Sequence, residues 1–363
     1  MTALQFRGIA ALSASLLLSG CSESAAPQMQ LPQVAESRVP RAASKLGICE
    51  SQSPAQGKQA PLARSSFERV PATRRAVKGK QEILYVLVES NGSPQTGSVV
   101  LYDAYAKKPK VIRTVSDVGI EASSIWTDDR GDVYVGVSGK SSQDSLVNVY
   151  AAGMKGKPIR TYRKGIGLPF GGTVDSAGTM YVSDGGLTGQ TQGDVAVFPP
   201  GKSKPSEIKY YNVYTPHGIA VDAKGNLYVA QVYGSKLTFV VEFPHDAYEG
   251  KILPLDDLSG GFLQGLVLDD KNDIVVADEC NQVVRFYPPP YKDQSATLSF
   301  GLVTPTGLAY APDGSLFVGN QFVLSSNNGN VVVFPPGAST PDRTITTGIN
   351  GQVFDVAVGA AAR

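Results

Sequence analysis

Cysteine, histidine and tryptophan are scarce in this chain: three, two and one among 363 residues. No Cys-x-x-Cys or His-x-x-x-His spacing occurs, which excludes the common zinc frameworks. There is no Gly-x-Ser-x-Gly elbow. The glycine pairs Gly171-Gly172, Gly185-Gly186 and Gly260-Gly261 open no helix that would cradle a phosphate. Neither sign of charge dominates, with 33 basic and 32 acidic residues, which argues against a nucleic-acid-binding body. No apolar run reaches the roughly 18 residues needed to cross a bilayer.

Glycine and proline are plentiful instead, at 39 and 24 residues, while hydrophobic residues make up 42% of the chain. That combination suits many short strands joined by turns around a substantial core. The first residues stand apart. Arg7 supplies a basic start, and Gly8 to Leu18 form an apolar stretch too short for a membrane anchor, the pattern of a signal peptide over residues 1–20. Leu18-Ser19-Gly20-Cys21 resembles a lipobox. The resemblance implies export, lipidation of Cys21 and anchoring in a bacterial envelope membrane, with Ser22 favouring the outer one. If Cys21 carries lipid, Cys49 and Cys280 remain to form a disulfide in an oxidising compartment.

Residues 21–80 are rich in Ala, Ser, Pro, Gln and Arg and lack periodicity, so a flexible tether is expected, spanning roughly 40–45 Å as a coil. Residues 22–80 carry ten basic residues against four glutamates, a net of +6. Given Arg7 and a total of +1, residues 81–363 are left at −6. The basic tether suits an anionic surface, or simply a solvated linker.

From residue 81 onward a repeat takes over. An apolar strand after a turn recurs at Ile83–Val86, Asp132–Val135, Thr179–Val182, Asn226–Val229, Asp273–Val276 and Ser315–Val318. A β-branched strand follows, ending at Tyr102, Tyr150, Phe198, Phe243, Phe286 and Phe334, aromatics assigned to packing between units. Each unit closes with a short edge segment, such as Val111–Val115 or Arg343–Thr347. A further strand precedes five of the units, as in Gly218–Asp222, and Phe354–Val358 supplies the sixth to the first unit. Four strands in a period of about 45 residues define a propeller blade. The expected fold is therefore all-β: a six-bladed β-propeller of four-stranded antiparallel blades over residues 81–363. The C-terminal strand closes the ring and leaves no free sheet edge, so a monomer is expected. The turns fit, with Gly178 and Gly225 where positive φ is needed and Asn272 in the same place.

Gly218-Ile-Ala-Val-Asp222 through Gly225-Asn-Leu-Tyr-Val229 resembles the NHL repeat, as do Val195-Ala-Val-Phe-Pro-Pro-Gly201 and Val331-Val-Val-Phe-Pro-Pro-Gly337. The resemblance covers about residues 82–358. It implies a ligand face at one channel mouth, lined by residues before the innermost strands and after the second strands. The first set is Phe170, His217, Gln264, Thr306 and Asn350; the second is Glu89, Ser138, Asp184, Gln231, Glu279 and Gln321, with Asp278 and Asn320 alongside. Asp184, His217, Gln231, Gln264, Asp278, Glu279, Asn320 and Gln321 are the expected ligand-binding residues.

Gluconolactonase-like relatives hold a divalent cation at this mouth through asparagines before the innermost strand. Here those positions carry Phe170, His217, Gln264 and Thr306, which weakens a metal-dependent hydrolase and leaves no cofactor assigned. Streptogramin lyases have similar repeats, which makes His217 a candidate general base, although they count seven blades. Trp126 is expected in the channel or core. The favoured reading is a lipid-anchored, non-catalytic module that binds an envelope protein or glycan and no nucleic acid. A lactonase-like or lyase-like enzyme is the alternative.

Overall fold

A computed structural model describes residues 81–361 apart from 93–94, 140–143, 186–192, 210–214, 234–236 and 324–326. The expected signal peptide, Cys21, Cys49 and the tether lie outside the described residues. Within them, 24 strands form six four-stranded antiparallel sheets, the blades of a propeller ring. Beside the strands stands one single-turn helix, and no described helix is long and apolar enough to cross a membrane.

Gln352–Ala360 is the innermost strand of the first blade and pairs antiparallel with Glu82–Glu89, followed outward by Thr96–Asp103 and Val111–Ile120. The two ends of the propeller thus close one sheet, as expected from the strand count. The other innermost strands are Ala122–Thr127, Pro169–Val174, Thr215–Val221, Leu263–Leu268 and Pro305–Tyr310, in blades two to six. Each starts at one mouth of the channel, the upstream mouth, and ends at the other, the downstream mouth.

Alternation along the strands builds six separate cores, one at each blade junction. In Glu82–Glu89, Leu84, Val86 and Val88 face the sixth blade, while Ile83, Tyr85 and Leu87 face the second. Successive side chains point to opposite faces of a strand, so a blade buried on both sides is apolar throughout. The terminal aromatics Tyr102, Tyr150, Phe198, Phe243 and Phe334 fill these junctions.

In the fifth blade the register corrects the sequence reading by one residue. Ile274 lies opposite Tyr287, as Met180 lies opposite Phe198 and Leu316 opposite Phe334. Tyr287 is therefore the fully buried terminal aromatic, while Phe286 points the other way and packs, half-buried, against the core shared with the sixth blade. Next to each other in sequence, the two rings could not be told apart without the strand pairing.

Around the axis the innermost strands approach closely because glycine recurs near their starts. A Cβ on Gly218 would fall 2.2 Å from the Leu266 nitrogen, and one on Gly265 would fall 2.3 Å from the Thr306 carbonyl. Side-chain oxygens stitch the other junctions: Ser124 Oγ donates to Pro169 O at 2.7 Å, and Thr306 Oγ1 to Val353 O at 3.1 Å. Ser183 Oγ donates to His217 O. Asn272 has φ 63° in its turn, beside Gly178 at 86° and Gly225 at 85°, as the turn chemistry requires.

Candidate functional site

The upstream mouth is narrow and braced from within. Asp184, Asp278 and Asn320 occupy equivalent places at the ends of second strands, and each ties down the loop leading into the innermost strand of its own blade. Asp184 accepts from the Gly167 and Leu168 amides at 2.6 and 2.7 Å. Asp278 accepts from Phe262 N, from Asn281 Nδ2 at 2.7 Å and from Arg285 Nε at 3.4 Å. Asn320 Oδ1 accepts from Val303 N, while its amide donates to Gly301 O and Asn330 Oδ1. All three are buried. Gln231 is buried too, with its Oε1 left without a hydrogen-bond partner, and Gln321 Nε2 donates to Gln352 Oε1 at 2.9 Å.

Three expected site residues do converge. His217 is hydrogen-bonded to the Gln264 side chain, and Gln264 Nε2 donates to Glu279 Oε2 at 3.1 Å. His217 stacks on Phe170 at 5.0 Å and meets the edge of Phe262 at 5.2 Å. Burial between these rings pushes its pKa down to about 4, only partly opposed by Gln264, so the ring is neutral at pH 7. Burial also raises Glu279, and it raises Glu89 to about 7 with help from nearby Glu121.

Inside the constriction lies a cavity of about 60 Å³, bounded by Ser123, Phe170, Gln264, Thr306, Phe354 and Asp355 among others. Phe354, opposite the second strand of its own blade, takes the place that His217 holds in the fourth; Asn350 lies ahead of that strand. Asp355 went unnoticed in the sequence. It stands where four other blades have Gly171, Gly218, Gly265 and Gly307, and alignment of the repeats is the signal that exposes it. Its Oδ2 accepts from Ile125 N in the second blade at 2.9 Å and its Oδ1 from Val356 N at 2.8 Å. Burial carries its pKa up to about 7 against those two hydrogen bonds.

The downstream mouth is different. There a cavity of about 1120 Å³ opens, walled by the ends of the innermost strands. Its carboxylates are Glu82, Asp128, Asp129, Asp269, Asp270 and Asp273, and Lys271 is the single lysine among its lining residues, with no arginine. Asp128 and Asp269 hold turns by accepting amides two and four residues on. Asp273 is raised to about 6, first by burial and then by Asp269. Trp126 and Tyr310 stand in the wall. Trp126 stacks on Tyr134 at 5.5 Å, and its buried indole nitrogen has no hydrogen-bond partner. The sequence placed Asp273 at the start of a strand and Trp126 in the channel or core, but nothing in it marks this mouth as the wide one.

Among the described residues no group of three His, Cys, Asp or Glu side chains is placed to hold a metal ion. Cys280 is disulfide-bonded, and its expected partner Cys49 lies outside the described residues.

These features define a six-bladed β-propeller with one constricted and one open channel mouth. Solved structures share that fold. A chain of a nidogen/laminin complex superposes with a TM-score of 0.56 at 16% identity, covering 77% of this chain and 98% of that one. A Bacteroides caccae protein of unknown function gives 0.57 at 12%, covering 77% and 99%. A candidate 6-phosphogluconolactonase from Bacteroides fragilis gives 0.50 at 13%, covering 76% and 84%. No protein-family model matches the chain, and no curated protein matches it.

Proposed function

We propose that this chain is a lipid-anchored propeller of the bacterial envelope that binds a cation-bearing ligand, such as a basic protein segment, without altering it chemically. One observation carries the reading: the acidic, aromatic-walled cavity at the downstream mouth. Its 1120 Å³ is the size of a ligand pocket, whereas the 60 Å³ upstream cavity has room for about two waters. Six carboxylates facing one lysine favour positive charge, and Trp126 and Tyr310 suit cations on apolar or planar stems. The likeness to a chain from a protein complex supports a protein ligand.

The enzymatic alternative draws on the His217–Gln264–Glu279 chain and on the lactonase-like neighbour. A base held near pKa 4 between two aromatic rings has little basicity and little access, which counts against it. The test is tetralysine binding by the full chain at low ionic strength. Saturable binding that weakens about tenfold in a variant carrying both Asp270→Asn and Asp273→Asn is expected from loss of two charges. Absence of binding, together with lactone hydrolysis, would favour the enzyme.

A further inference from the structure

We propose that the basic segment Arg69–Lys80 of this chain folds back onto the downstream cavity and occupies it. The inference rests on reading that cavity as the binding surface, and adds that its resident ligand is part of the same molecule. The first argument is position. The described chain begins at Gln81, whose carbonyl accepts from Ala361 N at 2.8 Å, and the next residue, Glu82, lies in the cavity wall. The residues before Gln81 therefore emerge at the cavity rim. At about 3.3–3.6 Å per extended residue, Lys80 and Lys78 lie within about 10 Å of that point, and Arg75 and Arg74 within about 25 Å.

Charge is the second argument. Arg69, Arg74, Arg75, Lys78 and Lys80 put five cations into twelve residues that contain no carboxylate. The cavity presents six carboxylates against Lys271. The near-neutral total of the chain thus conceals two opposed charges that meet at Gln81. Chemistry adds a third argument. Val70 and Val77 and the stems of the basic side chains match the apolar wall of Val221 and Leu268. Attachment at Gln81 gives the segment a high effective concentration, so weak contacts suffice to hold it. An external basic ligand would have to displace it.

The test is zero-length carbodiimide coupling of the full chain, which joins a lysine amine to a carboxylate with loss of water. At low ionic strength the expected product links Lys78 to Asp270 or Asp273 within one molecule, and high salt should abolish it. Mixing isotopically light and heavy protein separates the occupants, because links between light and heavy chains would show a second copy in the cavity and overturn the proposal. No Lys78 link to either aspartate would overturn it as well. A synthetic Arg69–Lys80 peptide is then added to a full chain in which the five basic residues are changed to glutamine. If the peptide perturbs Trp126 emission while the native chain shows no internal link, the binding surface stands and its occupation in cis fails. If neither the peptide nor tetralysine has an effect, both fail.

Discussion

Asp355 and Ile125 lie 230 residues apart in sequence, yet the carboxylate of one accepts the backbone amide of the other at 2.9 Å. Asp355 sits on the last strand and Ile125 on the innermost strand of the second blade, so this bond crosses a junction beside the closure of the ring. Where other blades use glycine to bring neighbouring strands together, this junction uses a charge-bearing side chain in the channel.

That bond carries a pH dependence. A folded-state pKa near 7, above the ordinary carboxylate value of 3.8, means the native protein keeps a proton that the unfolded chain releases. Stability from this group is greatest below about pH 4 and declines up to about pH 7, by no more than about 4 kcal/mol, less whatever solvation the small channel cavity provides. Glu89 and Asp194, also raised to about 7, act in the same direction. Denaturant melts of the Asp355→Asn variant between pH 4 and 8 should show a shallower slope than the native protein. An unchanged slope would remove Asp355 from the account.

Ring closure is testable by truncation. Deleting Phe354 to Arg363 removes the strand that pairs with Glu82–Glu89 and strips the junctions on both sides of the first blade. The expected outcome is loss of the cooperative thermal transition. A truncated protein that melts where the intact one does would contradict the closed ring.

The fifth-blade register makes a paired prediction. Tyr287→Ala should cost about 3–5 kcal/mol by opening a cavity at a fully buried site, and Phe286→Ala less than half of that. Equal losses would return the packing position to uncertainty between the two rings.

Cys280 is disulfide-bonded, and the chain offers it two partners, Cys21 and Cys49. If Cys21 is lipidated, non-reducing peptide mapping of the exported protein should recover a Cys49–Cys280 pair. A Cys21–Cys280 pair would contradict the lipid anchor.

Much of this architecture is legible in the sequence because the repeat is written in strand alternation and turn residues, both local. Ile83–Val86, Gly225 and Asn272 say what they are without reference to anything distant. The site is less legible because it depends on what the strand ends meet across the ring. Asp184, Asp278 and Asn320 look like rim groups in one dimension, but their oxygens are taken by amides of their own blades. The width of each mouth is set by side chains brought together from all six blades. Phe170, Phe354, His217 and Gln264 narrow one end, and no single repeat contains that information.

The most direct test of the central claim compares the two mouths. Tetralysine binding, followed through Trp126 emission, would be measured in the full chain with its five basic residues Arg69, Arg74, Arg75, Lys78 and Lys80 changed to glutamine. Adding Asp270→Asn and Asp273→Asn should weaken binding about tenfold or more, while adding Glu279→Gln at the upstream mouth should leave it unchanged. Loss of binding with Glu279→Gln, and none with the aspartate pair, would place the ligand at the upstream mouth and contradict the account.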